Sequence, residues 1–542
     1  MNSSPRALIS VYDKTGVVDF AGDLVSLGWE IISTGGTSKK LREAGISVKD
    51  ISEVTNHPEI FDGRVKSLHP AIHGAILARL EKETDRAGLD ELNYQPIKLV
   101  AVNLYPFSDS ASQQPPLADP DLLEMIDIGG PTLLRASAKN HRNVLSISNP
   151  KKYNEIIQLL TKFEGNPSEI DLEFRRKLAL ETFEHTASYD VAISQELHKR
   201  WIGDASESNE LENAINKLPQ RFQVDSEIRQ IMRYGENPHQ AAAFYSNPIN
   251  SEINLANFEM HSGKALSYNN YIDIDSALRL ARNLSTDDWP ETPFACVIVK
   301  HNNPCGAALS GNQVTAWKDA LASDPESAFG CIVAFNSKVT SDTANEIGSH
   351  FVECIIAPSF ETEALEILSG KKNRRLLSIA PNTQKLSPQT SQVVAKQING
   401  GWLLQTERSP KIDPKLARSV TKNKPTEQEI AAMRFGMVVC EQVKSNSVIF
   451  VKGTKTVGIG PGQTSRVEAV RIAARRAGDE AKGAVMVSDA FFPFRDGIDT
   501  ANEIGITSIV QPGGSIRDQE VIDAANEHNM SMLFTGVRLF RH

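Results

Sequence analysis

The residues best suited to chemistry lie in Val297-Ile298-Val299-Lys300-His301-Asn302-Asn303-Pro304-Cys305-Gly306, where a lysine and a histidine follow an apolar run. A histidine so placed can act as a base near neutral pH. The adjacent ammonium can stabilise developing negative charge or bias the imidazole toward neutrality. A Lys-His pair at a strand end is also a common accident, so its meaning depends on its company. Pro304-Cys305 invites comparison with zinc deaminases, but position 308 is Ala308 and no H-x-E precedes it. The ligand pattern fails, and no catalytic metal is expected.

Other polar clusters follow the same half of the chain. Met232-Arg233-Tyr234-Gly235-Glu236-Asn237-Pro238-His239-Gln240 and Lys444-Ser445-Asn446-Ser447 are two of them. Gly458-Ile459-Gly460-Pro461-Gly462-Gln463-Thr464-Ser465-Arg466 is G-x-G-x-G rather than G-x-G-x-x-G, a weak dinucleotide signal. As a glycine-rich entry into an amphipathic helix from Val467 to Arg476 it suits an anion. Ala490-Phe491-Phe492-Pro493-Phe494-Arg495-Asp496-Gly497 sets aromatic faces beside a carboxylate. That suits a flat heteroaromatic ligand such as a pterin or purine, or else a core corner. Gln511-Pro512-Gly513-Gly514-Ser515 and Val537-Arg538-Leu539-Phe540 complete the set.

The first 150 residues carry a second group of turns. Ile31-Ile32-Ser33-Thr34-Gly35-Gly36-Thr37-Ser38 reads as a strand, a glycine turn and a helix start. Free N–H groups would converge there, and Thr34, Thr37 and Ser38 could add hydroxyl donors to a phosphate. Asp62-Gly63-Arg64-Val65-Lys66-Ser67-Leu68-His69-Pro70 places cations and hydrogen-bonding groups around a turn that can hold an anion or an oxyanion, if it is not a solvated basic loop. Ile126-Asp127-Ile128-Gly129-Gly130-Pro131-Thr132 ends in a glycine turn with a helix that carries Arg135, Lys139 and His141. Asp127, and Tyr105 in Asn103-Leu104-Tyr105-Pro106-Phe107, would sit at carboxyl ends of strands, where open parallel sheets bind ligands. Three such turns at one edge point to a phosphate ester.

The elements that must hold these groups are α/β throughout. Ala7 to Val11, Glu30 to Ile32, Leu99 to Asn103 and Val144 to Ser148 read as strands, with helices at Val17 to Leu27 and Ser38 to Ala44. A helix-rich stretch from Asn154 to Arg200 and a polar linker from Gly203 to Asn216 put a domain boundary near residue 200. Beyond it, strands at Ala295 to Val299, Cys331 to Phe335 and Glu353 to Ala357 are divided by the tract Lys371 to Gln392 from strands at Val448 to Val451, Ala484 to Ser488 and Ser508 to Val510. Two α/β subdomains, about 201–375 and 376–542, are the expectation, and no short-period repeat shows.

Composition narrows the class. A chain of 542 residues, 40% of them apolar, holds about two to four domains. The formal charge of -9 gives no electrostatic footprint for nucleic acid or an acidic membrane. Five scattered cysteines, none in C-x-x-C, suit buried free thiols in a reducing cytosol. No signal-peptide core or membrane-length apolar run occurs, so a cytoplasmic location is expected.

Together these segments resemble the bifunctional purine-biosynthesis family that combines 5-aminoimidazole-4-carboxamide ribonucleotide (AICAR) transformylase with inosine monophosphate (IMP) cyclohydrolase. The motifs run in order over nearly the whole chain: SVYDKTG, STGGTS, GRVKSLHP, NLYPF, IDIGG, AKNH, RYGENPHQ, KHNNPCG, SAFG, IIAP, KSNS, GIGPGQTSR, DAFFPFRDG and RLF. The resemblance implies an amino-terminal methylglyoxal-synthase-like parallel-sheet domain (1–200, its core about 1–150) for cyclohydrolysis. It implies a transformylase (201–542) of two cytidine-deaminase-like subdomains, and a homodimer.

By motif, the resemblance assigns Lys14, Thr34, Gly35, Gly36, Thr37, Arg64, Val65, Ser67 and Asn103 to nucleotide binding in the first site. Lys66, Tyr105, Asp127 and Lys139 would lie closest to ring closure. Arg233, Tyr234, Gly330, Glu353, Asn446, Arg466, Phe491 and Arg538 would hold AICAR around the catalytic Lys300 and His301. Val467, Asp496, Gly513 and Gly514 would contact folate, with 10-formyltetrahydrofolate as cosubstrate; a monovalent cation is left open. Tyr12, Glu353 and Gly513 stand where relatives carry serine, aspartate and serine. Two rival readings remain: a methylglyoxal-synthase-type lyase with an appended domain, and a nucleotide-binding regulatory module without catalysis.

Overall fold

The computed structural model describes residues 4–542 except 59, 114, 203–217, 219–220, 247–254, 285–288, 380–392 and 407–411. The chain divides into two compact units, Met1–Asp225 and Ser226–His542. The polar tract from Gly203 to Asn216 falls outside the described residues, immediately after a long helix, Leu172–Ile202.

In the first unit the apolar runs become strands β1 (Arg6–Val11), β2 (Glu30–Ser33), β3 (Val48–Asp50), β4 (Ile97–Asn103) and β5 (Leu145–Ile147). Their order is β3-β2-β1-β4-β5, and every neighbouring pair is parallel. Successive side chains point to opposite faces. Ala7, Ile9 and Val11 therefore join one core with Phe20 and Leu24, while Leu8 joins another with Val100, Ile72 and Leu133. Burial on both faces is why β1 and β4 read as unbroken apolar runs. The edge strand β3 is only half-buried and carried no such signal. The helix after β2 is Gly35–Glu43, so the expected glycine turn is the helix's own first turn.

The second unit contains two small ribbons, β6 (Glu227–Ile231) with β7 (Ala243–Ser246) and β14 (Val393–Ile398) with β15 (Gly401–Thr406). The main sheet is built from β8 (Glu259–Ser262), β9 (Phe294–Lys300), β10 (Asn303–Ser310), β11 (Cys331–Phe335), β12 (Val352–Ala357) and β13 (Arg375–Ser378). It continues in β16 (Arg418–Ser419), β17 (Val448–Lys452), β18 (Lys455–Gly460), β19 (Val485–Ser488), β20 (Ser508–Gln511) and β21 (Ser531–Phe534). Twelve strands run in the order β16-β21-β20-β19-β17-β18-β10-β9-β11-β12-β13-β8.

That order is one topology written twice. In each half a helix precedes an antiparallel hairpin (β9/β10 or β17/β18), and three mutually parallel strands follow, each reached through a helix. A short antiparallel strand closes each outer edge. The halves meet where β10 pairs antiparallel with β18, so an approximate twofold relates them. The expected pair of α/β subdomains is thus two halves of a single sheet. The tract expected to divide them contains β13 and so belongs partly to the first half; its part from residue 380 onward lies outside the described residues. The helices Tyr268–Asn283 and Glu427–Cys440 contribute to one shared core on one sheet face. All five cysteines are free and buried.

Glycine sets how closely helix and hairpin approach in both halves. A Cβ on Gly306 would fall 1.9 Å from the Ala320 carbonyl oxygen, and one on Gly458 would fall 2.2 Å from that of Ala473. Backbone cannot swing aside as a side chain can. Gly306→Ala should therefore destabilise the second unit by about 3 kcal/mol, at the upper end of overpacking penalties, as read from urea unfolding of the intact chain.

Candidate active sites

In the first unit the loops after β1, β2 and β4 meet at the carboxyl edge of the parallel sheet. Helix Gly35–Glu43 begins there with Thr34 as a cap residue whose side chain makes no capping bond. Its first N–H groups have no helical partner and carry the positive end of the helix dipole. Two ammonium groups converge on the same turn: Lys66 Nζ lies 3.1 Å from the Cβ position of Gly35, and Lys14 Nζ lies 3.8 Å from that of Gly36. Lys14 Nζ also donates to the Tyr12 carbonyl at 3.1 Å. Backbone donors and two lysines at one point form a phosphate cradle.

Two residues expected at the ligand have side chains that also brace the scaffold. The Thr37 hydroxyl accepts from Val11 N at 3.0 Å and donates to Val11 O at 2.9 Å, so its hydroxyl is not available to a phosphate as the sequence suggested. Its backbone N–H is. The Asn103 carboxamide closes the loop after β1, with Oδ1 accepting from Tyr12 N at 2.6 Å and Asp13 N at 2.9 Å. Arg64, beside Val65, pairs with Glu124 on the surface. The Ser67 hydroxyl lies 2.6 Å from the Cβ position of Gly129, which brings the basic loop against the third turn.

Asp127 caps that turn by accepting from Gly130 N at 2.8 Å. Burial raises its carboxyl above the ordinary aspartate range despite the backbone donors that oppose the shift. Tyr105 is raised by burial and then by the Asp127 charge; its ring meets Tyr12 edge-on at 5.4 Å. Tyr189, from the long helix, accepts from Asp127 N at 2.8 Å and donates to Met125 O at 3.0 Å. Nothing local in the sequence marks this tyrosine. Lys139 closes the helix that starts at this turn. Helix Gly129–Lys139 has 11 residues and runs back toward the start of β5, which separates Lys139 from Gly129 by about 15 Å.

In the second unit the sheet register gathers the remaining candidates. The β9/β10 hairpin puts the Lys300-His301 tip at one edge, with Lys300 opposite Asn303. Because β10 and β18 are antiparallel, β18 ends and β17 begins at that same edge. Asn446, just before β17, and Arg466, just after β18, follow from this. So do the carboxyl ends of β19, β20 and β21, which lead to Phe491 and Asp496, to Gly513 and Gly514, and to Arg538. On the other side of the tip, β11 and β12 start there, preceded by Gly330 and carrying Glu353.

The tip is tightly held. His301 and Asn302 both have left-handed backbones, φ 54° and 61°. Their N–H groups donate to the two carboxylate oxygens of Asp273, at 3.2 and 2.6 Å, and Ser276 bonds the Asn302 side chain. Lys300 Nζ donates to Phe329 O at 2.6 Å, and Lys444 N donates to Asn303 Oδ1 at 3.2 Å. Asp273 and Ser276 lie three apart on helix Tyr268–Asn283, a same-face spacing that could have been noticed but was not.

Around the tip, the buried Arg466 guanidinium binds Asp489, the Ser488 hydroxyl, the Ser447 carbonyl and Asn446 Oδ1, while Asn446 Nδ2 donates to Gln463 O at 2.8 Å. Arg466 thus orients Asn446, and Val467 follows it in the helix. Glu353 Oε1 accepts from Arg375 and from Asn270, both at 3.0 Å. Gly330 N donates to Phe351 O at 2.7 Å with φ 74°. Arg233 lies 5.7 Å from the Tyr234 ring centre and Arg538 4.5 Å from that of Phe540. Phe491 and Asp496 are exposed, and Gly514 N donates to Asp518 at 2.7 Å. Among the described residues no three His, Cys, Asp or Glu side chains cluster as a metal would need, and no helix is long and apolar enough to cross a membrane.

Fold and sites define an enzyme with two separate polar centres, one in each unit. The chain matches the MGS-like domain over residues 16–132 and the AICARFT/IMPCHase bienzyme family over residues 137–476. It is 45% identical to the bifunctional purine biosynthesis protein PurH of Persephonella marina, covering 99% of each chain. It is 45% identical to the protein of the same name from Aquifex aeolicus, covering 99% of this chain and 100% of that one. A solved structure titled "Crystal structure of ForH" aligns over 36% of this chain and all of its own, at 35% identity and TM-score 0.33. The chain belongs to the AICARFT/IMPCHase bienzyme family, which carries out the last two steps of IMP synthesis, AICAR formylation and IMP cyclohydrolysis.

Two predictions concern the scaffolding charges. Arg466→Leu leaves the fully buried Asp489 unpaired and should cost about 3–5 kcal/mol in chemical unfolding. For Asp127, the native state holds its proton to higher pH than the unfolded chain does. Stability should therefore fall as pH rises from the ordinary aspartate value through the raised one, and Asp127→Asn should flatten that dependence in pH-resolved unfolding.

Proposed function

We propose that the second unit transfers the formyl group of 10-formyltetrahydrofolate to the 5-amino group of AICAR, and that the first unit closes formyl-AICAR to IMP with loss of water. The observation that carries the first step is the convergence of His301, Lys300, Asn446, Phe491, Asp496 and Arg538 on one sheet edge, around a hairpin tip fixed by Asp273. His301 removes the proton from the amino group as its nitrogen attacks the formyl carbon. Lys300 stabilises the tetrahedral oxyanion, whose collapse expels the folate nitrogen with a proton. The exposed Phe491 and Phe494 with Asp496 offer the aromatic and carboxylate surface that a pterin ring needs.

In the first unit the helix terminus with Lys14 and Lys66 takes the ribose phosphate. Asp127 and Tyr105 stand beside Lys66's loop to move protons as the carboxamide nitrogen attacks the formyl carbon and water departs. Both steps are polar and balance without redox. The family resemblance further supports a homodimer, and buried free thiols suit a cytosolic location.

A coupled assay of AICAR with 10-formyltetrahydrofolate, following tetrahydrofolate and IMP, tests this division of labour. His301→Ala should lose transformylation by about 100-fold or more while still closing supplied formyl-AICAR. Lys66→Ala should do the reverse. Near-normal transformylation by His301→Ala would remove the histidine from the reaction. Turnover of dihydroxyacetone phosphate without folate would favour a lyase, and binding without turnover a regulatory module.

A further inference from the structure

The internal duplication supplies its own control for the reactive hairpin. Helices Tyr268–Asn283 and Glu427–Cys440 occupy the same place in the two halves, and each begins with a capping box, at Ser267 and Thr426. Counted from those caps, Asp273 corresponds to Ala432 and Ser276 to Phe435. The hairpin tips correspond as well: Lys300-His301-Asn302-Asn303 in one half, Lys452-Gly453-Thr454-Lys455 in the other. The second tip starts its turn with a glycine at φ 57°. Glycine adopts a left-handed backbone without steric penalty and needs no anchor. In the first tip a histidine and an asparagine hold φ 54° and 61°, which side chains with a Cβ resist.

We infer that Asp273 is a positioning residue for formyl transfer, its carboxylate holding the left-handed His301-Asn302 turn through the two backbone N–H groups so that the imidazole is presented at the sheet edge. The bonds are 3.2 Å from His301 N and 2.6 Å from Asn302 N, one to each carboxylate oxygen. A carboxylate with two acceptors suits two adjacent N–H groups that have left the strand ladder, and charge assistance strengthens both bonds. Ser276, one turn further along the same helix, bonds the Asn302 side chain and fixes the other side of the turn. Asn303 Nδ2 donates to His301 O at 3.3 Å, so the carbonyl of the histidine is tied as well. In the half whose tip carries glycine in place of the histidine, both helix anchors are replaced by apolar residues that join the shared core.

The inference rests on the reading of His301 as the base, and the test separates the two. In the full-length protein, Asp273→Asn keeps the size but offers one acceptor where two are needed. It should lower transformylase kcat by about 10- to 100-fold with little change in KM for AICAR, while formyl-AICAR cyclisation is unchanged. Adding Asn302→Gly, which lets the turn adopt its left-handed form unaided, should recover a substantial part of the lost kcat. A loss of general packing would not be rescued by a glycine. Asp273→Glu keeps the charge on a longer arm and should also lower kcat, which covers the case in which Asp273→Asn does not fold. If His301→Ala abolishes transformylation but folded Asp273→Asn retains kcat within about twofold, the positioning role is wrong and the base stands. If the double variant recovers nothing, the left-handed turn is not what Asp273 maintains. If His301→Ala is itself active, the reading beneath both falls.

Discussion

The antiparallel join between β10 and β18 is the constraint on which the larger active site depends. It is a short contact, with Ala308 opposite Lys455 and flanking bonds from Leu309 N to Thr454 O and from Ala307 N to the Thr456 hydroxyl. Because the paired strands are equivalent members of two copies, the join reverses one copy against the other. Strand beginnings of the first half and strand ends of the second then share an edge. A parallel join would have sent the Lys300-His301 tip to the opposite edge from Asn446, Arg466 and Asp496.

The same near-symmetry creates a second edge of matching topology, and its chemistry has been neutralised. Where the active edge has Arg466 against Asp489, the opposite edge has Gln313 and Asn336 at the corresponding helix start and strand end of the other half. Gln313 binds Ser337, Lys338 O and Thr340, and Asn336 bridges Ala295 N and Pro293 O. Both neutral amides are bonded within the fold. Lys452 and Lys455 at the second tip are paired with Glu480 and Asp319. A buried ion pair is weak support for stability. At the active edge the Arg466–Asp489 pair holds Asn446 in place.

The amino-terminal unit solves a different problem with simpler means. A parallel sheet sends all its carboxyl ends to one edge, so a helix terminus, two lysines and a carboxylate can meet there without any pairing between repeats. Hydroxyl and amide groups that sequence reading assigned to the ligand, Thr37 and Asn103, turn out to brace the loops that present it. Such side chains look alike in sequence whether they face a ligand or a neighbouring strand.

The sequence by itself determined the α/β class, the strands of the buried sheet and the motif order that marks the family. These depend on local periodicity and on residue types at fixed short spacings. It did not reveal the duplication, because the two copies share topology while their hairpin tips read KHNN and KGTK. Nor did it show that Tyr189 reaches Asp127 across 62 positions, that Asp273 holds the tip across 28, or that Lys139 is carried a helix length from Asp127. Those facts are settled by strand direction and helix rise. Such long-range geometry leaves no periodic trace in a chain read one window at a time.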